Sequence, residues 1–153
     1  MRCIAYPFLF ILLLFCMSFS LFGQQNAVVD DLLEEEKATF GKSVYVILTA
    51  AGIIDESLTP EEAAAFISPK EWHVKEKSAD TPVTLGEFAA ILMHAFDIKG
   101  GFFYSLFPGP RYATREIAFR GFVFGRASPY MHISGSEALT IMRKAVVWKE
   151  KYR

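Results

Sequence analysis

Apolar residues recur at helical spacing behind the same polar start signal. Phe88, Ile91, Leu92, Ala95 and Phe96 have counterparts fifty positions later in Ala138, Ile141, Met142, Ala145 and Val146, and twenty-five positions earlier in Ala63, Phe66 and Ile67. Positions i, i+3, i+4, i+7 and i+8 form one face of an α-helix, so each copy is expected to bury that face. Ahead of the stripes stand Leu58-Thr59-Pro60-Glu61-Glu62, Val83-Thr84-Leu85-Gly86-Glu87 and Ile133-Ser134-Gly135-Ser136-Glu137. Each is a capping box: the hydroxyl of Thr59, Thr84 or Ser134 accepts from the backbone N–H three residues on. Glu62, Glu87 or Glu137 reaches back to the N-cap's own N–H, so two donors without an intrahelical partner are satisfied. The pattern predicts helices opening at these positions as copies of one internal repeat.

The remaining elements follow from the same rules. Phe40, Val44, Ile47, Leu48 and Ala51 predict a helix from about Thr39 to Ala51, stopped by Gly52. Pro60 suits the first helical position after Thr59, and Ser68-Pro69 ends that helix. Residues 71–82, with Trp72 and His73, read as an irregular connection. The helix opened by Thr84 runs to about Phe96. In 102–112 the sequence Phe102-Phe103-Tyr104-Ser105-Leu106-Phe107 meets Pro108-Gly109-Pro110, which forbids a continuing helix. A helix over 113–120, halted by Gly121, precedes the last one, which reaches at least Trp148. Asn26 to Lys37 is acidic and reads as a solvated leader, with a helix as an option. The expected fold is therefore mainly α: a small domain of helix-loop-helix repeats over 39–153, after an acidic leader (24–38) and an N-terminal segment (1–23).

That first segment is read as membrane-targeting. Arg2 gives the positive flank, and Ile4 to Phe22 is almost wholly apolar before Gly23, Gln24 and Gln25. Its length lies near the roughly 20 residues that span a bilayer, so it is a cleaved signal peptide or an uncleaved anchor. Pro7, Ser18, Ser20 and Gly23 favour cleavage near Gly23 or Gln24, and Phe15 ahead of Cys16 argues against a lipoprotein. Export to the periplasm or cell envelope is the expectation. Both cysteines, Cys3 and Cys16, fall inside the segment, so a chain cut near Gly23 has no disulfide, catalytic thiol or Cys-bound metal. Without Arg2, fifteen basic residues face seventeen acidic ones and no basic tract stands out, which argues against nucleic acid. Membrane contact is expected only through an uncleaved N-terminus.

The order helix, Gly121-Phe122 with Gly125, loop, then Ile133-Ser134-Gly135-Ser136-Glu137-Ala138 resembles the S-layer homology repeat. That helix–loop–helix module has a Gly-Ile-x-x-Gly corner and an Ile-Thr-Arg-x-Glu helix start. Gly52-Ile53-Ile54 followed by Leu58-Thr59-Pro60-Glu61-Glu62-Ala63 is similar to a shortened copy, and Val83-Thr84-Leu85-Gly86-Glu87-Phe88-Ala89 resembles a third start. The resemblance spans about Thr39 to Val147. It implies a helical scaffold and attachment to peptidoglycan or an associated wall polysaccharide. The family's motif Arg is replaced by Pro60, Leu85 and Gly135, which cannot bind an acidic glycan through a charged side chain. Tyr112 matches the aromatic residue ahead of the family's first helix, and Arg111 and Arg115 supply positive charge from another place.

The candidate ligand site is accordingly the aromatic and basic cluster of Tyr104, Arg111, Tyr112, Arg115 and Arg126, with Phe103 beside it. Aromatic faces stack on sugar rings, and guanidinium groups grip carboxylates in a forked geometry. Against this stands a packing reading, in which Phe102, Phe103 and Phe107 fold inward as a plug between helices. Convergent Arg and Tyr around a concave site would mark a glycan ligand. A flat apolar patch would instead mark docking of the aromatic loop on another envelope protein. Catalysis has little support: His73, His94 and His132 lack metal-site spacing, no phosphate loop or nucleophile elbow appears, and the capping role already explains the Glu residues. No cofactor or metal is expected. Trp72 and Trp148 read first as half-buried packing residues.

Overall fold

The computed structural model describes residues 22–67 and 69–152. Residues 1–21 of the targeting segment, with both cysteines, thus lie outside the described residues. Among the described residues eight helices follow in order: α1 Phe22–Glu34, α2 Phe40–Ala50, α3 Pro60–Ala65, α4 Pro69–Trp72, α5 Leu85–Ala95, α6 Phe102–Leu106, α7 Pro110–Phe119 and α8 Gly135–Lys151. No strand accompanies them among the described residues, so the chain is mainly α as its periodicity predicts.

All three predicted capping boxes form. Glu62 N–H, Glu87 N–H and Glu137 N–H donate to Thr59, Thr84 and Ser134 at 3.3, 3.3 and 3.2 Å, and each Glu carboxylate accepts from its N-cap N–H in return. The three helices that meet in space are nevertheless a different trio: α2, α5 and α8. Thr39 opens α2, where the third helical residue is Lys42, so no box can be read there. Glu35 does the work from upstream, accepting Thr39 N–H at 2.7 Å and the Thr39 hydroxyl at 3.1 Å. Lys42 in turn pairs with Glu35 at 3.0 Å. The box at Thr59 stays local to α3, and Phe66, expected on a buried stripe, is half exposed.

The starts of α2, α5 and α8 exchange hydrogen bonds in a closed cycle. Phe40 and Gly41 donate to Thr81 and Ala79, ahead of α5, at 2.8 Å each. Leu85 and Gly86 donate to Met131 and Pro129, ahead of α8, at 2.8 and 3.0 Å. Gly135 donates to Glu35, ahead of α2, at 2.9 Å. Inside this cycle Val83 N–H bonds Ala38 O and Ala38 N–H bonds Ile133 O, both at 2.8 Å, and His132 Nδ1 lies 3.2 Å from Val83 O. First-turn N–H groups that have no partner in their own helix are thereby satisfied by the next unit. At Gly135 the approach is so close that a Cβ would overlap the Leu32 carbonyl.

Around this hub packs one core. α5 is buried along nearly its whole length apart from His94, as befits a helix apolar on every side, with α2, α7 and α8 against it. The acidic stretch before α2 is not a solvated leader: Leu32 and Ala38 are fully buried, because α1 packs on α8 and α2. Trp72 is buried and packs against His94, the ring centres 4.2 Å apart and the planes tilted by 42°, so packing is its role. The helix endings also repeat. Gly52 at φ +71° and Gly121 at φ +75° sit in the left-handed region, and Asp97, at φ +49°, takes the same place after α5. The next N–H closes each turn: Ile53 to Leu48 O, Ile98 to Met93 O and Phe122 to Ile117 O.

The hub makes the caps unequal. Thr84→Ala and Ser134→Ala are expected to cost about 0.5–2 kcal/mol each, and Glu35→Ala a comparable amount although no sequence rule marks it as a cap. Thr59→Ala, outside the cycle, should cost less than any of the three. Urea denaturation midpoints of the four variants check the ranking.

Candidate functional site

The Gly100-Gly101 and Pro108-Gly109-Pro110 breaks isolate a five-residue helix, α6, on the surface beside α7. The sequence reading placed no helix here, since the prolines end one but do not prevent a single short turn before them. Glu116 of α7 ties it down, accepting Gly101 N–H at 2.9 Å. The aromatic side chains do not plug the fold. Phe102, Phe103, Leu106 and Phe107 are 73, 60, 54 and 60% exposed, which sets aside the inward-packing reading. A short helix held by one carboxylate, with its neighbours already filling the core, leaves these rings no cavity to enter.

Tyr112 is the centre of this face. Its ring lies between Phe103, at 6.3 Å and 10° between planes, and Phe107, at 6.1 Å and 26°. Phe102 meets Phe103 edge-on at 5.7 Å. Such stacked and edge-on pairs stabilise an exposed aromatic ridge by roughly 0.5–1.5 kcal/mol each beyond area burial. Arg111 and Arg115, four residues apart on α7, are both exposed, and neither has an ion pair among the described residues. They flank the ridge with positive charge.

The other two predicted residues lie elsewhere. Tyr104 is half buried against the core beside Met93, Ile98 and Pro108, and burial, then the Glu116 carboxylate, push its pKa up. Arg126 sits in the loop before α8, lining a separate cavity of about 220 Å³ with Phe122, Phe124, Met131 and Ile141. So Arg111, Tyr112 and Arg115 come together, while Tyr104 and Arg126 do not join them. Sequence spacing cannot distinguish these cases, because Arg126 is separated from α7 by the Gly121 turn, whose direction depends on packing. The structure also gathers a second cluster, for which the sequence carried no expectation: Arg143, Lys144, Trp148, Lys151 and Tyr152 line one side of the α8 end with Arg120. The spacing 144, 148, 152 and 143, 147, 151 marks that helix face, but nothing in it points to Arg120.

No family model, curated protein or solved structure matches this chain. Among the described residues no group of His, Cys, Asp or Glu is placed to hold a metal ion, and no helix is long and apolar enough to cross a membrane. His73 and His132 stand on different loops, and His94 lies against Trp72.

Tyr104 gives the site a pH signature. A raised pKa means the fold favours the neutral phenol, so its contribution is present below the ordinary tyrosine value of 10.0 and is lost as the pH climbs through the raised value. Melting temperatures of Tyr104→Phe should therefore fall less steeply than those of the unmodified protein above about pH 10, with no difference in slope at neutral pH.

Proposed function

We propose that the protein is a non-catalytic binding module of the cell envelope that docks on a partner protein through the aromatic face of α6 and α7. The observation that carries this reading is the exposure of Phe102, Phe103, Leu106 and Phe107 around the stacked Tyr112. Contiguous apolar surface of this kind costs free energy in water and is regained when covered. The partner is an envelope protein with an apolar face rimmed by carboxylates, which Arg111 and Arg115 would meet at the edge of the contact. The apolar segment over 1–23 supports export. The resemblance to S-layer homology repeats rests on the Gly52 and Gly121 corners and on the helix starts at Thr59, Thr84 and Ser134.

A second reading is attachment to peptidoglycan or an associated wall polysaccharide, favoured by two exposed arginines on one face beside Tyr112. It stands second because Phe102, Phe103, Leu106 and Phe107, which make up most of the exposed face, offer a sugar no hydrogen-bonding group.

Sedimentation of the full-length protein with purified sacculi, and its capture of envelope proteins, separate the two. On protein docking, Phe103→Ser with Phe107→Ser abolishes capture of a discrete envelope protein and leaves sacculus binding unchanged. On the glycan reading, Arg111→Gln with Arg115→Gln releases the protein from sacculi, and added salt does the same to the unmodified chain. A protein that binds neither material overturns both.

A further inference from the structure

On the far side of α7 from its aromatic start, the C-terminal half of α8 forms a second surface of a different character. Arg143, Val147 and Lys151 make one ridge of the helix, and Lys144, Trp148 and Tyr152 the next. Together with Arg120 and Gly121 they bound a shallow groove of about 410 Å³. Arg120 lies over the Trp148 ring at 4.7 Å, its guanidinium held by Lys99 O and, at 3.5 Å, by Glu116. Lys144 is fixed at the end of α7 by Gly121 O and Phe122 O at 2.9 and 3.1 Å, and covers the Phe124 ring at 3.4 Å. Arg143 and Lys151 have no ion pair among the described residues.

Large apolar side chains stand exposed among these cations. Phe124 is 81% exposed and Val147 59%, Tyr152 is exposed at the groove's end, and Phe119, next to Arg120 in the chain, is almost wholly in solvent. The interleaving is the composition of a membrane-surface element. Cations meet anionic headgroups while aromatic rings with a polar edge lie at the headgroup level and aliphatic groups reach the acyl boundary. A protein partner would favour the drier α6 ridge. A soluble anion would have no use for exposed Phe124, Val147 and Tyr152.

We infer that the C-terminal face of α8, with Phe124, docks peripherally on an anionic lipid bilayer. The surface lies on the membrane and does not span it. It acts independently of the protein-docking face and of the apolar N-terminal segment.

The test reads the groove itself. The chain has two tryptophans, so Trp72→Phe leaves Trp148 as sole reporter in the full-length protein. Vesicles of equal parts phosphatidylcholine and phosphatidylglycerol, with brominated acyl chains, should quench Trp148 fluorescence. Vesicles of phosphatidylcholine alone should quench it weakly, and added salt should restore emission. Arg143→Gln with Lys151→Gln, both at solvent-facing positions, should weaken quenching by the mixed vesicles about tenfold or more, and the charge-preserving pair Arg143→Lys and Lys151→Arg should restore it. Comparing the variants in one background cancels any binding by the N-terminal segment, which all share. Absence of quenching by brominated chains overturns the inference. So does equal quenching in the charge-removed variant, or a Trp148 response to a soluble carboxylated oligosaccharide that matches the response to vesicles.

Discussion

Ala38, Val83 and Ile133 each stand one residue ahead of an N-cap, and their peptide groups bond to one another in the middle of the molecule. Three helix starts brought this close would bury a set of N–H groups with no partner in their own helices. Each left unpaired would cost about 1–3 kcal/mol. The cycle removes that cost because every unit lends its carbonyls to the helix before it and takes them from the segment that follows. Segments 79–81 and 129–131, both turns, and the stretch before Thr39 are thereby fixed in place without building a sheet. Closing the cycle also requires α1 and its turn, since Glu35 both accepts from Gly135 and caps Thr39.

From the hub outward the division of labour is set by what remains uncovered. α5 is wrapped by α2, α7 and α8 and has no surface to offer beyond His94. α6 and the outer side of α8 lie at the periphery, and there the apolar side chains have no helix left to pack against. The two surfaces differ in charge: the α6 ridge is aromatic with two arginines at its edge, whereas the α8 groove interleaves Arg120, Arg143, Lys144 and Lys151 with rings. A chain whose total charge is close to neutral thus concentrates positive charge on one helix end, where whole-chain composition does not reveal it.

Legibility in the sequence tracks the distance over which each interaction acts. The boxes at Thr59, Thr84 and Ser134, the left-handed stops at Gly52 and Gly121, and the stripes on α5 and α8 all involve residues within one or two turns, and all are present as their spacing predicts. Where a partner lies outside that range, the reading departs from the fold. Glu35 caps from the wrong side of Thr39, so α2 was not recognised as a member of the trio. Leu32 lies in an acidic stretch and is still core, because one apolar residue suffices when a helix end is clamped against Gly135.

The sequence by itself determined that the chain is mainly helical and where α2, α3, α5 and α8 begin, whereas α4, α6 and the first turn of α7, which carries Arg111 and Tyr112, lay outside that reading. Backbone capping and side-chain periodicity are local, and their energies act within a few residues. Only the tertiary structure decided that α2, α5 and α8 form the cycle and that Tyr104 turns inward while Phe102 and Phe103 turn out. It alone separated Arg126 from the other arginines and brought Arg120 onto Trp148. An aromatic side chain gains the same free energy from any apolar neighbour, so its pattern says that it seeks cover. Whether cover exists is fixed by how much core the other helices have already filled.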